Sequence, residues 1–193
     1  MSRKEQIITA TIKIIAKKGF ADTTIDQIVQ EAQVSLSTFY EIFANKEEIL
    51  EKIFTAEFQK RYNFYINMKN WHIDWFLKIN GILNFHLQEL QKEPELATVI
   101  LAERMNPCFR QKEPICQFSQ LSSVIAAILQ QAINEQKICP CNVQATSLII
   151  CGFLDALTYE FIMNENLPQL ETAIENFCLL LKNSLAKPTN ELT

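Results

Sequence analysis

The clearest pattern of apolar and polar positions lies between Thr24 and Lys46. Its apolar residues fall three and four positions apart, which places them on one face of each of two short helices, over about 25–32 and 36–43. These apolar positions are Ile25, Ile28, Val29, Ala32, Val34, Phe39 and Phe43. Because helices this short need packing against another element, the pair is interpreted as a helix-turn-helix docked on a neighbouring helix. Such a pair presents the outer face of its second helix, so the pattern predicts a protein that binds DNA.

Polar residues at characteristic spacings predict where the first four helices begin. The candidate N-caps are Ser2, Thr24, Ser35 and Asn45. Glu5 and Gln27 stand three residues after the first two of these, which is the spacing of a capping box. Gly19 follows two lysines and suits the left-handed conformation that closes a helix, with Phe20 folding back as its apolar contact. Lys46 falls in the first turn of the fourth helix, where a bound phosphate would be favoured, although a solvated lysine is the alternative.

Amphipathic helices are predicted for the rest of the chain. They extend over about 46–68, 71–91, 94–104, 114–136, 143–164 and 168–186. Pro94 and Pro114 suit first-turn positions, and Pro188 would end the last helix. The three glycines and six prolines among 193 residues also favour helices with few tight turns. The sequence therefore predicts an all-α fold of about nine helices, with a three-helix DNA-binding domain over 1–46 and a larger ligand-binding and dimerisation domain over 47–193.

The charge of the chain does not by itself indicate a nucleic-acid-binding protein. The formal net charge is −4 at pH 7, and the first fifty residues hold six lysines and arginines against seven aspartates and glutamates. Phosphate contacts must therefore come from a few placed groups. With 48% hydrophobic and 21% charged residues, the composition is that of an ordinary globular protein. No secretion signal and no uninterrupted apolar run of membrane-spanning length is visible, so we expect a cytoplasmic protein without a membrane partner.

The six cysteines show no regular spacing, and Cys139 and Cys141 form the only tight pair. A metal site would need further ligands, and the two histidines, His72 and His86, lie far away in the sequence. Plain reduced thiols are therefore favoured, with a metal or redox role for the tight pair left open. No Glu-x-x-His pair, glycine-rich phosphate loop, His-Glu-x-x-His or Gly-x-Ser-x-Gly motif occurs. An enzyme is therefore disfavoured, and no cofactor is expected.

Residues 3–50 resemble the DNA-binding domain of the TetR/AcrR family of bacterial transcriptional regulators. The positions that carry the resemblance are Gly19-Phe20, Thr24, Val34-Ser35, Tyr40, Phe43 and Lys46-Glu47. The resemblance implies that the residues contacting phosphates are Thr24, Ser35, Tyr40 and Lys46. It also implies that Leu36, Ser37 and Thr38 face base edges, while Phe39 and Phe43 pack inward.

Four positions depart from the family pattern. Gln33 stands where the turn usually carries glycine, and it is strained if it adopts a positive φ. Ser37 replaces a common glycine, Ile42 replaces a common histidine that meets phosphate, and Glu41 adds a negative charge. The face assigned to base contacts offers methyl contacts and hydroxyl bonds but no arginine for guanine. We therefore expect modest affinity per half-site, which makes dimerisation and DNA shape more important.

The last two predicted helices are the most apolar part of the chain. Their candidate dimer-interface residues are Phe153, Leu157, Phe161, Ile174, Phe177 and Leu181. Gly152 would let a partner backbone come close. Ordinary core burial is the alternative interpretation. A protein with one short recognition helix per protomer needs two half-sites, and two-fold symmetry supplies them, so a homodimer with a four-helix interface is favoured.

Residues 60–135 contain the candidate residues of a ligand pocket. These are Phe64, Trp71, Trp75, Phe85, His86, Arg104, Met105 and Phe118. Any single aromatic residue at helical spacing is more often part of the core. The resemblance nevertheless implies that this region encloses an apolar pocket with a few polar groups. His86 and Arg104 are the candidates for orienting an anionic head group, and a surface position is the alternative for both.

Taken with the resemblance, these patterns predict a ligand-responsive, DNA-binding transcriptional regulator in the form of a homodimeric repressor. Its expected partners are double-stranded DNA with a pseudo-palindromic operator, a small apolar or amphipathic effector and a second copy of the chain. Effector binding would shift the fourth helix with Lys46 and change the separation of the recognition helices. The alternative is a helical ligand- or partner-binding module with weak or lost DNA binding.

Overall fold

The computed structural model describes residues 1–109, 111–113, 115–164 and 166–186. Over these residues the chain forms nine α-helices and no strand. The helices are α1 (Arg3–Lys18), α2 (Ile25–Ala32), α3 (Leu36–Ile42), α4 (Lys46–Asn70), α5 (Trp75–Lys92), α6 (Pro94–Met105), α7 (Ser119–Asn134), α8 (Val143–Asn164) and α9 (Leu167–Leu185). A short 3₁₀ helix, Ile115–Phe118, precedes α7. The predicted all-α fold of about nine helices is confirmed.

The predicted capping boxes form at the start of α1 and α2. The hydroxyl of Ser2 accepts the N–H of Glu5 at 3.3 Å, and the Glu5 carboxylate accepts the N–H of Ser2 at 2.7 Å. Thr24 and Gln27 exchange the same two bonds at 3.4 and 3.1 Å. Gly19 ends α1 with a φ of +83°, the positive region that glycine adopts without steric cost. The two capping boxes therefore form as predicted, while Gly19 has a ψ of 163° and does not adopt the left-handed helical conformation that the sequence suggested.

Two helices begin later than the sequence pattern predicts. The start of α5 is at Trp75 rather than 71, because Asp74 acts as its cap: its carboxylate accepts the N–H of Phe76 at 2.9 Å. Its backbone carbonyl also accepts the N–H of Lys78 at 3.1 Å. The start of α7 is at Ser119 rather than 114, because the preceding residues form the 3₁₀ helix. The expectations for Pro114 and Pro188 lie outside the described residues.

The chain divides into two compact units. The first contains residues Met1–Lys60 and Leu90–Phe118, and the second contains Arg61–Glu89 and the chain from Ser119 onward. Within the first unit, α1 packs against α2, α3 and α6. The predicted DNA-binding domain over 1–46 lies wholly in this unit, and its boundary after residue 46 stays a prediction. Within the second unit, α8 packs against both α7 and α9.

A lysine of α5 caps the C-terminal end of α4 in the second unit. The buried ammonium of Lys78 donates to the backbone carbonyl of Lys69 at 2.6 Å. Burial lowers the pKa of Lys78 because the charged form loses hydration, and the Glu135 carboxylate opposes this effect. A cation suits this position because the last carbonyls of a helix have no partner within the helix.

Among the described residues, α8 is long and apolar enough by length and composition to cross a membrane. The core helix of a globular protein passes the same test. One face of α8, which includes Ile150, Leu154 and Leu157, is buried in the second unit. The opposite face carries exposed apolar side chains. The expectation that no membrane is involved stays a prediction.

Candidate DNA-binding surface and effector-binding region

The turn between α2 and α3 is closed by a glutamine in the left-handed conformation. Gln33 has φ 55° and ψ 43°, so the positive φ considered from the sequence is present. The N–H of Gln33 donates to Gln30 and the N–H of Val34 donates to Val29, at 3.2 and 3.1 Å. These bonds end α2 and direct the chain into α3 after three residues. A non-glycine residue in this conformation costs roughly 1 kcal/mol, which the helix-turn-helix must offset elsewhere.

Helix α3 has one buried face and one exposed face. Phe39 is fully buried and Phe43, at the C-terminal cap of α3, is 2% exposed, so the predicted inward packing of these two rings is confirmed. On the opposite face, Leu36 is 45% and Tyr40 is 54% exposed. The α3 face that carries Leu36 and Tyr40 is therefore open to a partner. This is the arrangement that a recognition helix requires.

Three hydroxyl groups form a connected cluster at the start of α3. The Ser35 hydroxyl oxygen accepts the N–H of Thr38 at 3.1 Å and lies 2.8 Å from the hydroxyl oxygens of both Ser37 and Thr38. Each hydroxyl has one hydrogen and two lone pairs, so the cluster retains capacity to accept or donate outward. Hydroxyls of this kind pair with several base edges and therefore discriminate weakly between sequences.

Much of the positive charge near the helix-turn-helix is bonded to neighbouring side chains. Lys13 pairs with Glu31 at 3.2 Å, which links α1 to α2. The ammonium of Lys18 donates to the side-chain carbonyl of Gln27. Glu41 is exposed near the end of α3. The expectation of modest DNA affinity per protomer stays a prediction.

Lys46, a predicted phosphate contact, is bonded to backbone carbonyls within the chain. Its ammonium donates to the carbonyls of Phe20, Ala21 and Thr23 at 2.9, 3.3 and 2.7 Å. It also lies 4.5 Å from the centre of the Phe20 ring. These three bonds match the three N–H donors of an ammonium group. The structure thus gives Lys46 a role inside the first unit, and its contact with phosphate stays a prediction.

The sequence did not predict a second side chain that bonds to Phe20, the carboxylate of Glu103. Glu103 of α6 is only 4% exposed, and one of its carboxylate oxygens accepts the N–H of Phe20 at 3.2 Å. The other oxygen accepts the side-chain amide of Asn106 at 2.8 Å. No local signal in the sequence separates this glutamate from the exposed Glu95 of the same helix, because its partner lies 83 residues away.

The candidate pocket residues fall in both compact units. Phe64, Trp71, Trp75, Phe85 and His86 lie in the second unit, and Arg104, Met105 and Phe118 lie in the first. Phe64 and Phe85 stack with their ring centres 3.9 Å apart. Phe118 packs against Phe54 and Phe58. Trp71 and Met105 are largely exposed. The structure therefore brings together parts of the set, and the pocket as a whole stays a prediction.

His86 is held by hydrogen bonds on both ring nitrogens. Its Nδ1 lies 2.8 Å from the Arg61 guanidinium, and its Nε2 lies 2.8 Å from the Thr158 hydroxyl and 3.1 Å from the Leu154 carbonyl. A guanidinium only donates, so Nδ1 must accept and Nε2 carries the hydrogen. The buried imidazole is therefore neutral in this arrangement. Its observed role is to connect α4, α5 and α8 within the second unit.

A surface groove of about 460 Å³ lies between α7 and α8. The groove is lined by Ser122, Ser123, Ala126, Ala127, Gln130, Val143, Gln144, Ser147 and Leu148. None of the candidate pocket residues is among them. This groove therefore does not correspond to the predicted effector pocket.

Four of the six candidate dimer residues are buried within the single chain. Leu157, Phe161, Ile174 and Leu181 are buried inside the single chain, so they form its core rather than a face open to a partner. Phe153 and Phe177 are half-buried and stack on each other at 4.1 Å. The exposed large apolar residues of α8 and α9 are Leu148, Ile149, Tyr159, Met163, Leu179 and Leu180. Helix α8 is therefore apolar on more than one side, and the dimer interface stays a prediction.

The cysteines are all free thiols. Cys139 and Cys141 are half-buried, and the Cys139 thiol lies 3.5 Å from the Ala186 carbonyl. Within the described ranges, no group of three or more histidine, cysteine, aspartate or glutamate side chains is placed to hold a metal ion. A redox role for the two cysteines stays an open question.

Known proteins resemble this chain in both sequence and fold. Residues 7–53 match the family described as bacterial regulatory proteins, tetR family. The chain is 24% identical over 163 residues to YhgD, an uncharacterised HTH-type transcriptional regulator of Bacillus subtilis (strain 168), covering 83% of this chain and 85% of that protein. It is 25% identical over 165 residues to the fatty acid metabolism regulator protein of the same organism, covering 83% and 84%.

A solved structure shows that the likeness extends to the whole fold. The transcriptional regulator FadR from Bacillus subtilis, in complex with stearoyl-CoA, matches with a TM-score of 0.79 at 23% identity. The match covers 92% of this chain and 96% of that chain. These similarities confirm the predicted resemblance of the N-terminal residues to this family of regulators.

Proposed function

We propose that this chain, a transcriptional regulator of the TetR family, is a homodimeric repressor that a small amphipathic effector releases from its operator. The chain is a ligand-responsive, DNA-binding regulator. Our proposal adds three points to this: that the chain represses transcription, that it forms a homodimer, and that its effector is amphipathic. Action on genomic DNA also implies a cytoplasmic location.

The observation that carries the proposal is the exposed face of α3. Leu36 and Tyr40 are exposed while Phe39 on the opposite side is fully buried, so the helix is fixed on the unit and turned outward. We propose that Thr24, Ser35 and Tyr40 contact phosphates and that Leu36, Ser37 and Thr38 face base edges. This set lacks the bidentate arginine–guanine pair, which is the commonest specific contact. Affinity for a single half-site is therefore expected to be low.

A homodimer would supply the second half-site. The exposed apolar residues of α8 and α9, which we call the outer apolar face, are Leu148, Ile149, Tyr159, Met163, Leu179 and Leu180. Large apolar side chains that stay exposed on two adjacent helices are typical of an interaction site. Gly152 supports a close approach here, because a Cβ added to it would meet nothing within 4 Å in the single chain. A two-fold dimer would then bind half-sites one helical turn, or a multiple of it, apart.

The proposed effector is a long-chain acyl-CoA. The comparison that suggests it is the FadR structure, which holds stearoyl-CoA, together with the similarity to the fatty acid metabolism regulator. In this chain the stacked Phe64 and Phe85 rings and the buried guanidinium of Arg61 lie in the second unit. Apolar rings and a cation are the groups that an amphipathic anion requires. Release requires the effector to bind the DNA-free state more tightly than the DNA-bound state.

Fluorescence anisotropy with DNA from upstream of the chain's own gene tests the release. We expect stearoyl-CoA to dissociate the complex, and coenzyme A without the acyl chain to leave it intact. Stearoyl-CoA that binds free and DNA-bound protein with equal affinity would refute release.

The second candidate function is a helical ligand- or partner-binding module that has lost DNA binding. The exposed Glu41 and the acidic balance of the first fifty residues favour it. A shift assay at low salt separates the two functions, because DNA binding by Lys and Arg strengthens as salt is removed. Failure to shift any fragment at low salt would establish the module and refute the repressor.

A further inference from the structure

Phe20 lies directly after α1 and is held on three sides within the first unit. Its N–H donates to the Glu103 carboxylate of α6 at 3.2 Å. Its carbonyl accepts the Lys46 ammonium of α4 at 2.9 Å. Its ring meets Phe109 edge-on, with the ring centres 4.9 Å apart. Phe20 therefore connects the segment that leads into α2 with α4, α6 and the chain after α6.

Glu103 is a buried carboxylate that is held by hydrogen bonds. It is 4% exposed, and burial of a carboxylate is unfavourable unless hydrogen bonds compensate for its lost hydration. The Phe20 N–H and the Asn106 side-chain amide each donate to one of its two carboxylate oxygens. The Asn106 side chain also accepts the N–H of Cys108 at 3.0 Å, which fixes the turn that brings Phe109 to Phe20. Glu103 thus bonds α6 to the α1–α2 connection at Phe20.

We infer that Glu103 is a positioning residue for DNA binding, which fixes α2 and α3 to α6 through Phe20. Lys46 fixes the first turn of α4 to the same connection, and it acts on DNA through this contact rather than through a phosphate. The effect on DNA binding rests on the proposed function. The positioning itself is a property of the folded chain and is tested without DNA.

These contacts couple the positions of α6 and of the first turn of α4 to the helix-turn-helix within the first unit. A shift of α6 or of the start of α4 changes the bonds to Phe20, and the backbone at Phe20 leads directly into α2. Packed elements change between discrete arrangements rather than deforming continuously, so the loss of one of these bonds is expected to release the helix-turn-helix as a unit. The orientation of the two recognition helices in a dimer then changes with it.

Hydrogen–deuterium exchange on the full chain tests the positioning. Glu103→Ala removes the acceptor for Phe20, and we expect amides of residues 25–42 to exchange about tenfold faster, because local opening becomes easier. Glu103→Gln keeps an oxygen for Phe20 and should restore most of the protection. The matched control is Ile7→Val, which removes one buried methyl group from α1 without touching Phe20. Unchanged exchange over residues 25–42 in Glu103→Ala, or an equal increase in Ile7→Val, would overturn the inference.

Salt-dependent DNA binding tests the role of Lys46. We expect Lys46→Met and Glu103→Ala to weaken binding about tenfold at every salt concentration, with the slope of log K against log salt unchanged. Loss of a phosphate contact would instead reduce the slope by about 0.9 per site, or about 1.8 for a dimer. A reduced slope in Lys46→Met would overturn the positioning role of Lys46. The two proposals can fail separately. If Glu103→Ala exchanges faster while the wild-type chain binds no DNA, the Phe20 contact is supported and the regulator function is refuted.

Discussion

Replacement of Leu148 and Leu180 by alanine is expected to separate the proposed dimer without destabilising the protomer. These side chains are 64% and 66% exposed in the single chain. Full burial of a leucine contributes about 2 kcal/mol, so covering the exposed part contributes about 1.3 kcal/mol per side chain. A two-fold dimer holds four of them. The double variant should therefore lose roughly 5 kcal/mol of association free energy, which weakens the dimer on the order of 10³ to 10⁴-fold.

Sedimentation equilibrium measures the dimer, and thermal unfolding at low protein concentration measures the protomer. The matched control is Leu157→Ala on the buried face of α8, where the side chain is 3% exposed. This control should lower the free energy of unfolding by about 2–5 kcal/mol, because it leaves a cavity in the core. The Leu148 and Leu180 changes should leave the protomer's unfolding free energy within about 0.5 kcal/mol of wild type.

Two results would refute the assignment of the outer apolar face. The first is a Leu148→Ala, Leu180→Ala variant that dimerises as tightly as the wild type. The second is a Leu157→Ala chain that loses the dimer while its protomer stays fully stable. The second result would support an interface formed by Leu157 and the other residues that the sequence pattern predicted.

Three further predictions concern single positions. Gln33→Gly should raise the free energy of unfolding by about 1 kcal/mol, because glycine adopts a φ of 55° without steric cost; a lower thermal midpoint would contradict this. The Ser2 N–H and hydroxyl hold the pKa of Glu5 below its ordinary value, so their stabilisation is present above the unfolded-chain pKa and lost as pH falls through the lowered pKa. Ser2→Ala removes the hydroxyl and keeps the backbone N–H, so an NMR titration should show a higher Glu5 pKa, and an unchanged value would exclude the hydroxyl as a cause. Gly152→Leu should weaken the dimer at least about tenfold while stabilising the protomer helix by about 1 kcal/mol, and sedimentation of an intact dimer would argue against close approach at this position.

The helix starts were predictable because each depends on bonds between residues close in sequence. The pairs Ser2–Glu5 and Thr24–Gln27 are three residues apart, and both form the predicted bonds. The late start of α5 has the same local origin, since Asp74 caps it. The spacing of apolar residues predicted a start at Trp71 instead. Spacing alone does not show which polar side chain accepts the first N–H groups and so begins the helix.

The face that we propose for the dimer could not be predicted from the spacing of apolar residues. In α8, both Leu148 and Leu157 are leucines in an apolar helix, yet the first is 64% exposed and the second is 3% exposed. Only the packing of α8 against α7 and α9 decides which side is covered within the chain. A sequence that is apolar on several sides of a helix therefore predicts that those sides are buried. It does not show which side packs in the core of the chain and which packs against a partner.

The contacts at Phe20 lie beyond sequence reasoning for a different reason. Lys46 bonds to backbone carbonyls, which every residue possesses, and Glu103 bonds to a backbone N–H far away in the chain. Both partners are backbone groups, so the sequence contains no pattern that predicts these bonds. The resemblance placed Lys46 correctly at the start of α4, and the structure shows which atoms it contacts there in the single chain.

Selection of bound duplexes from a random-sequence DNA pool at low salt tests the central claim most directly. A dimer with α3 facing outward predicts enrichment of an inverted repeat, with half-site centres one helical turn or a multiple of it apart. The same selection with Tyr40→Ala is the control, because that side chain is 54% exposed and its loss should not disturb the fold. The wild-type chain should enrich the repeat much more strongly than the control. No enrichment by the wild-type chain at low salt would contradict the account.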